Sequence, residues 1–111
     1  MCVCWVVVPG GCGWLTGGDY VKKISSPQPE VAREAMNKAA QNKSRRAIVP
    51  LVKRLYDEDP AIRLSAIRAL EDITGEDMGY RSYEPEVKRV AAIKRWEAWL
   101  VQEGLVSEKE E

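Results

Sequence analysis

Three stretches of this chain share one layout. Pro29-x-Val31-x-x-x-Ala35, Pro60-x-Ile62-x-x-x-Ala66 and Pro85-x-Val87-x-x-x-Ala91 each place a branched aliphatic residue two positions after a proline and an alanine four positions later. The first two copies lie 31 residues apart, and the third follows after 25. A period of this length marks helical units that cannot bury their apolar faces alone and do so by stacking on neighbours. The layout constrains the chain to an all-α stack and leaves its activity open.

A chain of 111 residues fits one small domain. Seventeen basic residues balance seventeen acidic ones, so the whole chain has no bias toward nucleic acid or an anionic membrane. Histidine is absent, which removes the commonest general base and the commonest metal ligand together. Phenylalanine is absent too, so Leu, Ile, Val, Ala and four tryptophans must fill the core.

The first eighteen residues differ in kind from the rest. They carry no charged side chain and hold all three cysteines, Cys2, Cys4 and Cys12. The apolar run Cys2-Val-Cys-Trp-Val-Val-Val8 is far shorter than the roughly 20 residues a spanning helix needs. A short apolar run followed by small residues is closer to a signal peptide. Gly10-Gly11-Cys12 resembles the last three positions of the bacterial lipobox, in which cleavage before the cysteine frees its thiol to carry lipid. Pro9 stands where a branched aliphatic residue is expected, and no Lys or Arg precedes the run. A Cys-x-Cys metal clip, with three thiols and no histidine, could not complete a four-ligand zinc site alone; a disordered tail or a mistaken start site is the third reading. The expected division is a signal and lipobox segment over 1–12, with Cys12 the lipidation site, and a Gly/Ser/Pro-rich tether over 13–28. A helical domain over 29–104 and an acidic tail over 105–111 complete it. The corresponding location is extracytoplasmic, lipid-anchored to the cell membrane or outer membrane; failure of the signal reading would leave the chain cytoplasmic.

Four helices are expected. The first opens at Pro29, where a missing N–H costs nothing, runs through Val31, Ala32, Ala35, Met36 and Ala39, and ends near Gln41-Asn42. The second takes Ser44 as N-cap and buries Ala47, Ile48, Leu51, Val52 and Leu55, with Pro50 inside it as a kink. Asp59-Pro60 opens the third, Ile62, Ala66, Ala69, Leu70 and Ile73 form its face, and Gly75 stops it. The fourth follows a loop over Glu76–Glu84, opens with Pro85 and buries Val90, Ile93, Trp96 and Leu100 with Trp99 on the flank, ending near Gly104.

Taken together, the second and third helices resemble one complete HEAT repeat. The stretch Ala47-Ile-Val-Pro-Leu-Val-Lys-Arg-Leu55, the acidic turn Asp57-Glu58-Asp59 and Pro60-Ala-Ile-Arg63-x-x-Ala66-x-x-Ala69-Leu70 carry the kinking proline, the turn aspartates and the arginine of that pattern. The first helix resembles the second helix of a preceding repeat whose own first helix is missing. The close, Ile73-Thr-Gly-Glu-Asp-Met-Gly-Tyr80 and Trp96-x-x-Trp99-Leu100, resembles the ending of short bacterial HEAT-like proteins, many of them predicted lipoproteins. The resemblance covers roughly 29–100. It implies an all-α, short HEAT-like solenoid (an α-α superhelix), a partner-binding face built from second helices, and a structural role for Arg63 in tying the acidic turn to neighbouring repeats.

Candidate functional residues follow from the repeat offset. Leu64, Arg68 and Glu71 lie opposite the expected core of the third helix, and one repeat earlier the same positions are Arg33, Asn37 and Ala40. Arg33, Asn37, Leu64 and Arg68 are the expected partner-binding residues. Lys43, Arg45, Arg46, Lys53 and Arg54 form a run without an acid, which a nucleic-acid module could use as a phosphate-contacting edge; a solvated face balanced by Asp57-Glu58-Asp59 is the plainer reading. Trp96 and Trp99 fit a core better than a stacking platform. The carboxylates of Asp57, Asp59, Glu76 and Asp77 fit turns and caps and lack calcium-loop spacing. No nucleophile has a base beside it, and no catalytic residue, metal or cofactor is assigned. The sequence thus points to a non-catalytic module that presents a helical face to another protein and is held to a bilayer through Cys12. A soluble nucleic-acid module using 43–54 and a regulatory subunit of an enzyme stand as alternatives.

Overall fold

Helix boundaries in this chain are set by how each end meets its unpaired backbone groups. The computed structural model describes residues 20–106. After a helical turn over 20–23 come α1 (Pro29–Gln41), a 3₁₀ turn (Arg45–Ala47), α2 (Ile48–Arg54), α3 (Pro60–Thr74) and α4 (Glu86–Gln102). No strand occurs among the described residues. Helix α1 packs along α3, while α2 packs against both α3 and α4. The architecture is the short all-α stack expected.

Helix α3 begins where the Asp59 carboxylate accepts a hydrogen bond from the Ala61 amide at 2.9 Å, with Pro60 at its first position. It ends at Gly75, whose φ of 80° turns the chain out of the helix while its amide bonds the Glu71 carbonyl. Two other helices close in a tighter wrap. At the end of α1, Ser44 N–H reaches the Ala39 carbonyl and Lys43 N–H the Ala40 carbonyl, with Lys43 left-handed at φ 50°. At the end of α4, Leu105 N–H reaches Leu100 and Gly104 N–H reaches Val101 in the same pattern.

Pro50 does not kink a continuous second helix. The chain enters through the 3₁₀ turn, and the α-helix starts only at Ile48, so Pro50 is its third residue. Its missing N–H falls in the first turn, where no intrahelical acceptor awaits. Ser44 stands at the N-cap of the 3₁₀ turn, where its carbonyl accepts from the Ala47 amide, but its side chain makes no capping bond.

The third copy of the repeated layout is not a structural repeat. Pro29 and Pro60 are the first residues of α1 and α3, which turns Ala35 and Ala66, at the seventh position, into the core. Pro85 instead stays extended as the N-cap of α4, so the count starts one residue later. The seventh position is then Ala92, which is buried, while Val87 is 77% exposed and Ala91 is exposed. One residue is about 100° of helix rotation, enough to turn a stripe from core to water. Val90 is accordingly half-buried, and Ala92, Ile93, Trp96 and Leu100 carry the contact.

The expected domain limits also move. Ile24 is fully buried and Tyr20 packs against the core, so the stretch 20–28 belongs to the fold and not to a tether. Leu105 and Val106 pack on the core beyond Gly104. The segment 1–12 with Cys12, and residues 107–111, lie outside the described residues.

The loop between α3 and α4 is tied down at both ends. Arg63, 8% exposed, donates from Nη1 to the carbonyls of Asp57 (2.9 Å) and Glu58 (3.0 Å), and from Nη2 and Nε to that of Ser82 (3.0 and 3.3 Å). Tyr80, buried, donates its hydroxyl to the Leu55 carbonyl at 2.8 Å. Trp96 Nε1 and Arg95 Nε donate to the carbonyls of Asp77 and Met78 at 3.2 and 2.8 Å. The Arg95 guanidinium lies 2.8 Å from where a Cβ on Gly79 would sit, and Gly79 has φ 75°, so only glycine fits there.

Substitutions at three positions separate these features. Arg63→Ala strands three carbonyls and is expected to cost about 2–4 kcal/mol in urea unfolding, with Arg63→Lys restoring little because one ammonium cannot fork to both loops. Val87→Asp is expected to stay within about 0.5 kcal/mol, whereas Ile62→Ala costs about 2–5 kcal/mol; equal losses would mean that the second and third copies are equivalent after all.

Candidate partner-binding groove

The α1–α3 contact is made by small residues. Ala32, Ala35 and Ala39 on one helix and Ala66 and Ala69 on the other are all buried, which lets the two axes approach closely. Above this seam the larger polar side chains diverge and leave a groove of about 390 Å³. Arg33, Asn37 and Ala40 line one wall; Leu64, Ser65, Arg68 and Asp72 line the other. All four partner-binding residues expected from the sequence therefore border one groove.

Helix α3 has a second hollow, of about 300 Å³, on its other flank, bordered by Leu64, Ile67, Arg68, Glu71, Tyr80 and Tyr83. Leu64 and Arg68 border both, forming a ridge between them. The 31-residue offset thus fails for one pair: Ala40 faces the first groove, and its counterpart Glu71 faces the second. Leu64 is 39% exposed and Tyr83 80%. Neither Arg33 nor Arg68 has an ion-pair partner among the described residues. Lys43 closes one end, its ammonium donating to the Asp72 carbonyl at 2.9 Å.

Sequence reasoning missed Ser65, Asp72 and Tyr83. Asp72 lies two helical turns beyond Leu64, so its place was available from periodicity. Tyr83 sits in a loop, where no period operates.

The other candidates are structural. Asp57 and Asp77 accept bonds from the amides of Asp59 and Gly79, two residues on, at 2.8 and 2.9 Å. The Asp77 carboxyl is held below its usual range by the Gly79 amide and then by Arg81. Trp96 is fully buried and meets Trp99 edge-on, centroids 5.5 Å apart, as core and flank. The basic run 43–54 is divided: Lys43 bonds Asp72, Arg45 lies 3.6 Å from Glu103, and Arg54 lies 3.4 Å from Asp57. Among the described residues no group of His, Cys, Asp and Glu could hold a metal ion, and no helix is long and apolar enough to cross a membrane.

The α2–α3 hairpin, its acidic turn, the arginine beneath that turn and a stacked helix on either side are the parts of one repeat with its neighbours. A family model described as HEAT repeats matches residues 20–92. The chain belongs to the HEAT-repeat family. That match begins at Tyr20 and ends at Ala92, the residue that the shifted register of α4 turns inward. No curated protein and no solved structure matches the chain. In HEAT terms α2 and α3 are one full repeat, α1 is the second helix of the repeat before, and α4 is the first helix of the repeat after. HEAT repeats generally mediate protein–protein interaction and typically serve as non-catalytic scaffolds.

Tyrosines report on this scaffold. Burial, then the hydrogen bond to Glu97 and its charge, push Tyr56 up to about 12. Burial also raises Tyr80. Tyr20 is lowered, first by a hydrogen bond from Ser44. For Tyr56 and Tyr80 the unfolded chain releases its proton first, so the stability they contribute is present below about pH 10 and lost as pH rises, for Tyr56 on the way to about 12. A phenolate absorbance titration should show Tyr20 ionising earliest and Tyr56 and Tyr80 last. Tyr56→Phe should remove a late step and flatten the alkaline fall in urea stability; loss of a step near pH 10 instead would mean that neither burial nor the Glu97 bond raises Tyr56 in solution.

Proposed function

We propose that this HEAT-repeat chain is a protein-interaction module whose partner lies across the Leu64–Arg68 ridge, and that lipid on Cys12 holds it at a membrane on the extracytoplasmic side. The observation that carries the first part is the groove itself. Residues selected only by repeat offset border one hollow, with an exposed leucine beside two arginines that have no ion-pair partner among the described residues. A partly exposed apolar residue ringed by polar and charged ones has the composition of a small interface, whose affinity comes from a few anchors.

The tether is supported by residue types alone. Gly10-Gly11-Cys12 follows a short apolar run, and only seven residues separate Cys12 from Tyr20, where the fold has begun. A mature chain cut there would carry a single cysteine, acylated, and so no free thiol in an oxidising compartment.

Two measurements test the reading. A photo-crosslinking residue at Ser65 should give one discrete adduct in the native host, lost in Leu64→Asp and Arg68→Glu and kept in Val87→Asp. Their melting temperatures should agree within about 4 °C, as surface changes of about 0.5 kcal/mol allow; adduct that survives both groove variants would sink the groove reading. Intact mass of the native protein from the membrane fraction should give a chain starting at Cys12 with a diacyl- or triacylglyceryl increment. A soluble chain retaining Met1 would sink the tether.

A further inference from the structure

Charge on this neutral chain is distributed unevenly. Residues 20–54 carry nine lysines and arginines against two acids, whereas 55–111 carry eight against fourteen. Helix α1 packs on α3 while α2 lies between α3 and α4, so α1 forms one end of the stack, and residues 20–46 around it carry seven of the nine cations.

At that end three separate segments converge on Tyr20. The Asn42 amide donates to its phenol at 3.4 Å, bringing in the end of α1. Ser44 and the charges of Arg46 and Lys38 also act on the phenol, lowering its pKa. Lys22 and Lys23 follow within one helical turn. Lys22, Lys23, Lys38 and Arg46 are all exposed, and none has an ion-pair partner among the described residues. The neighbouring Lys43 and Arg45 are occupied, the first by the Asp72 carbonyl and the second by Glu103. Four cations gathered from three segments repel one another, a cost that an external anionic surface relieves.

We propose that Lys22, Lys23, Lys38 and Arg46 form a patch that docks the domain onto the anionic surface of a lipid bilayer. The proposal rests on the tether reading: the patch surrounds the point where the chain leaves the fold toward Cys12. A seven-residue connection spans at most about 25 Å, so the patch stays within reach of the headgroups and binds at high effective concentration. A polybasic patch beside a lipid anchor is a two-signal arrangement, in which the lipid supplies residence and the charges supply orientation. Nucleic acid is the competing polyanion. Against it, the one aromatic ring in the patch, Tyr20, is partly buried against the core and is not an open stacking platform.

The test uses the full chain as Cys12→Ser, which cannot be acylated there. It would be sedimented with vesicles of phosphatidylcholine alone and with about a third of phosphatidylglycerol. Binding is expected only to the anionic vesicles and should fade at high salt. Lys22→Gln with Lys23→Gln should weaken it about 30-fold, at about fivefold per charge, and Lys38→Gln with Arg46→Gln by a similar factor. Lys88→Gln with Lys94→Gln, on α4, should change nothing. Equal binding to neutral vesicles, unaffected by salt, would assign the interaction to the apolar segment 1–12 and overturn the patch. Tighter binding to a DNA duplex than to the anionic vesicles at the same salt would overturn it in favour of nucleic acid. The tether is judged separately by the native mass, so a lipidated chain with charge-blind vesicle binding would refute the patch alone.

Discussion

Arg63 is a buried cation whose hydrogen bonds all end on main-chain carbonyls: Asp57 and Glu58 in the turn before α3, and Ser82 in the loop after it. The guanidinium fork suits this task because its donors diverge in a plane and reach two loops at once. The carbonyls in turn have no regular secondary structure to satisfy them, since both loops are irregular. One side chain thus answers the backbone demands of the α2–α3 turn and of the α3–α4 connection, and fixes α3 relative to the helices on either side. The rest of the connection is added to this frame, through Tyr80 on the Leu55 carbonyl and Trp96 and Arg95 on the carbonyls of Asp77 and Met78. An eleven-residue connection in so small a stack would otherwise be a weak point. Here it is a packed layer that seals α4 to the hairpin.

Much of this was legible in the sequence, for reasons that differ by element. Helix α3 was legible throughout because its signals agree: a carboxylate cap, proline at the first position, a periodic apolar face and a glycine stop. The 31-residue offset placed Arg33, Asn37, Leu64 and Arg68 because α1 and α3 begin in the same way, with proline as first residue, and so keep a common register. The third copy misled because the letters match while the backbone at proline does not. Pro85 has ψ 156°, outside the helix, and α4 starts one residue late. A proline is compatible with either state, so the sequence alone does not choose between them. Residues 20–28 read as linker by composition, yet Ile24 finds a place in the core once α1 is laid on α3. Burial of one residue in a polar stretch depends on tertiary neighbours, which local composition does not contain.

The groove and the frame draw on different faces of the same helix, and this separates binding from stability. Ile62, Arg63, Ala66, Ala69 and Leu70 face inward, while Leu64 and Arg68 are exposed. The alanine seam between α1 and α3 sets the spacing of the walls, so the groove's width follows from core packing and not from the residues that line it. Groove-lining positions are therefore free to vary in charge without altering the walls. A repeat scaffold achieves specificity in this way: the frame is written in alanines, aliphatics and one arginine, and the surface in the residues between them.

The two proposed surfaces are related through that frame. The cationic patch around Tyr20 lies at the end of α1 where Lys38 and Asn42 stand, and the groove runs along the same helix from Arg33 to Asn37 and Ala40. The 1.5 Å rise per residue puts Arg33 about 7–8 Å along the axis from Lys38. A domain resting on its positive end would hold the far part of the groove away from the headgroups and its near part close to them. Asp72 is the one carboxylate lining the groove, at the end that Lys43 closes. Arg33 and Arg68 line its walls without an ion-pair partner among the described residues, so the groove carries the same sign as the patch, and what distinguishes it is the exposed Leu64.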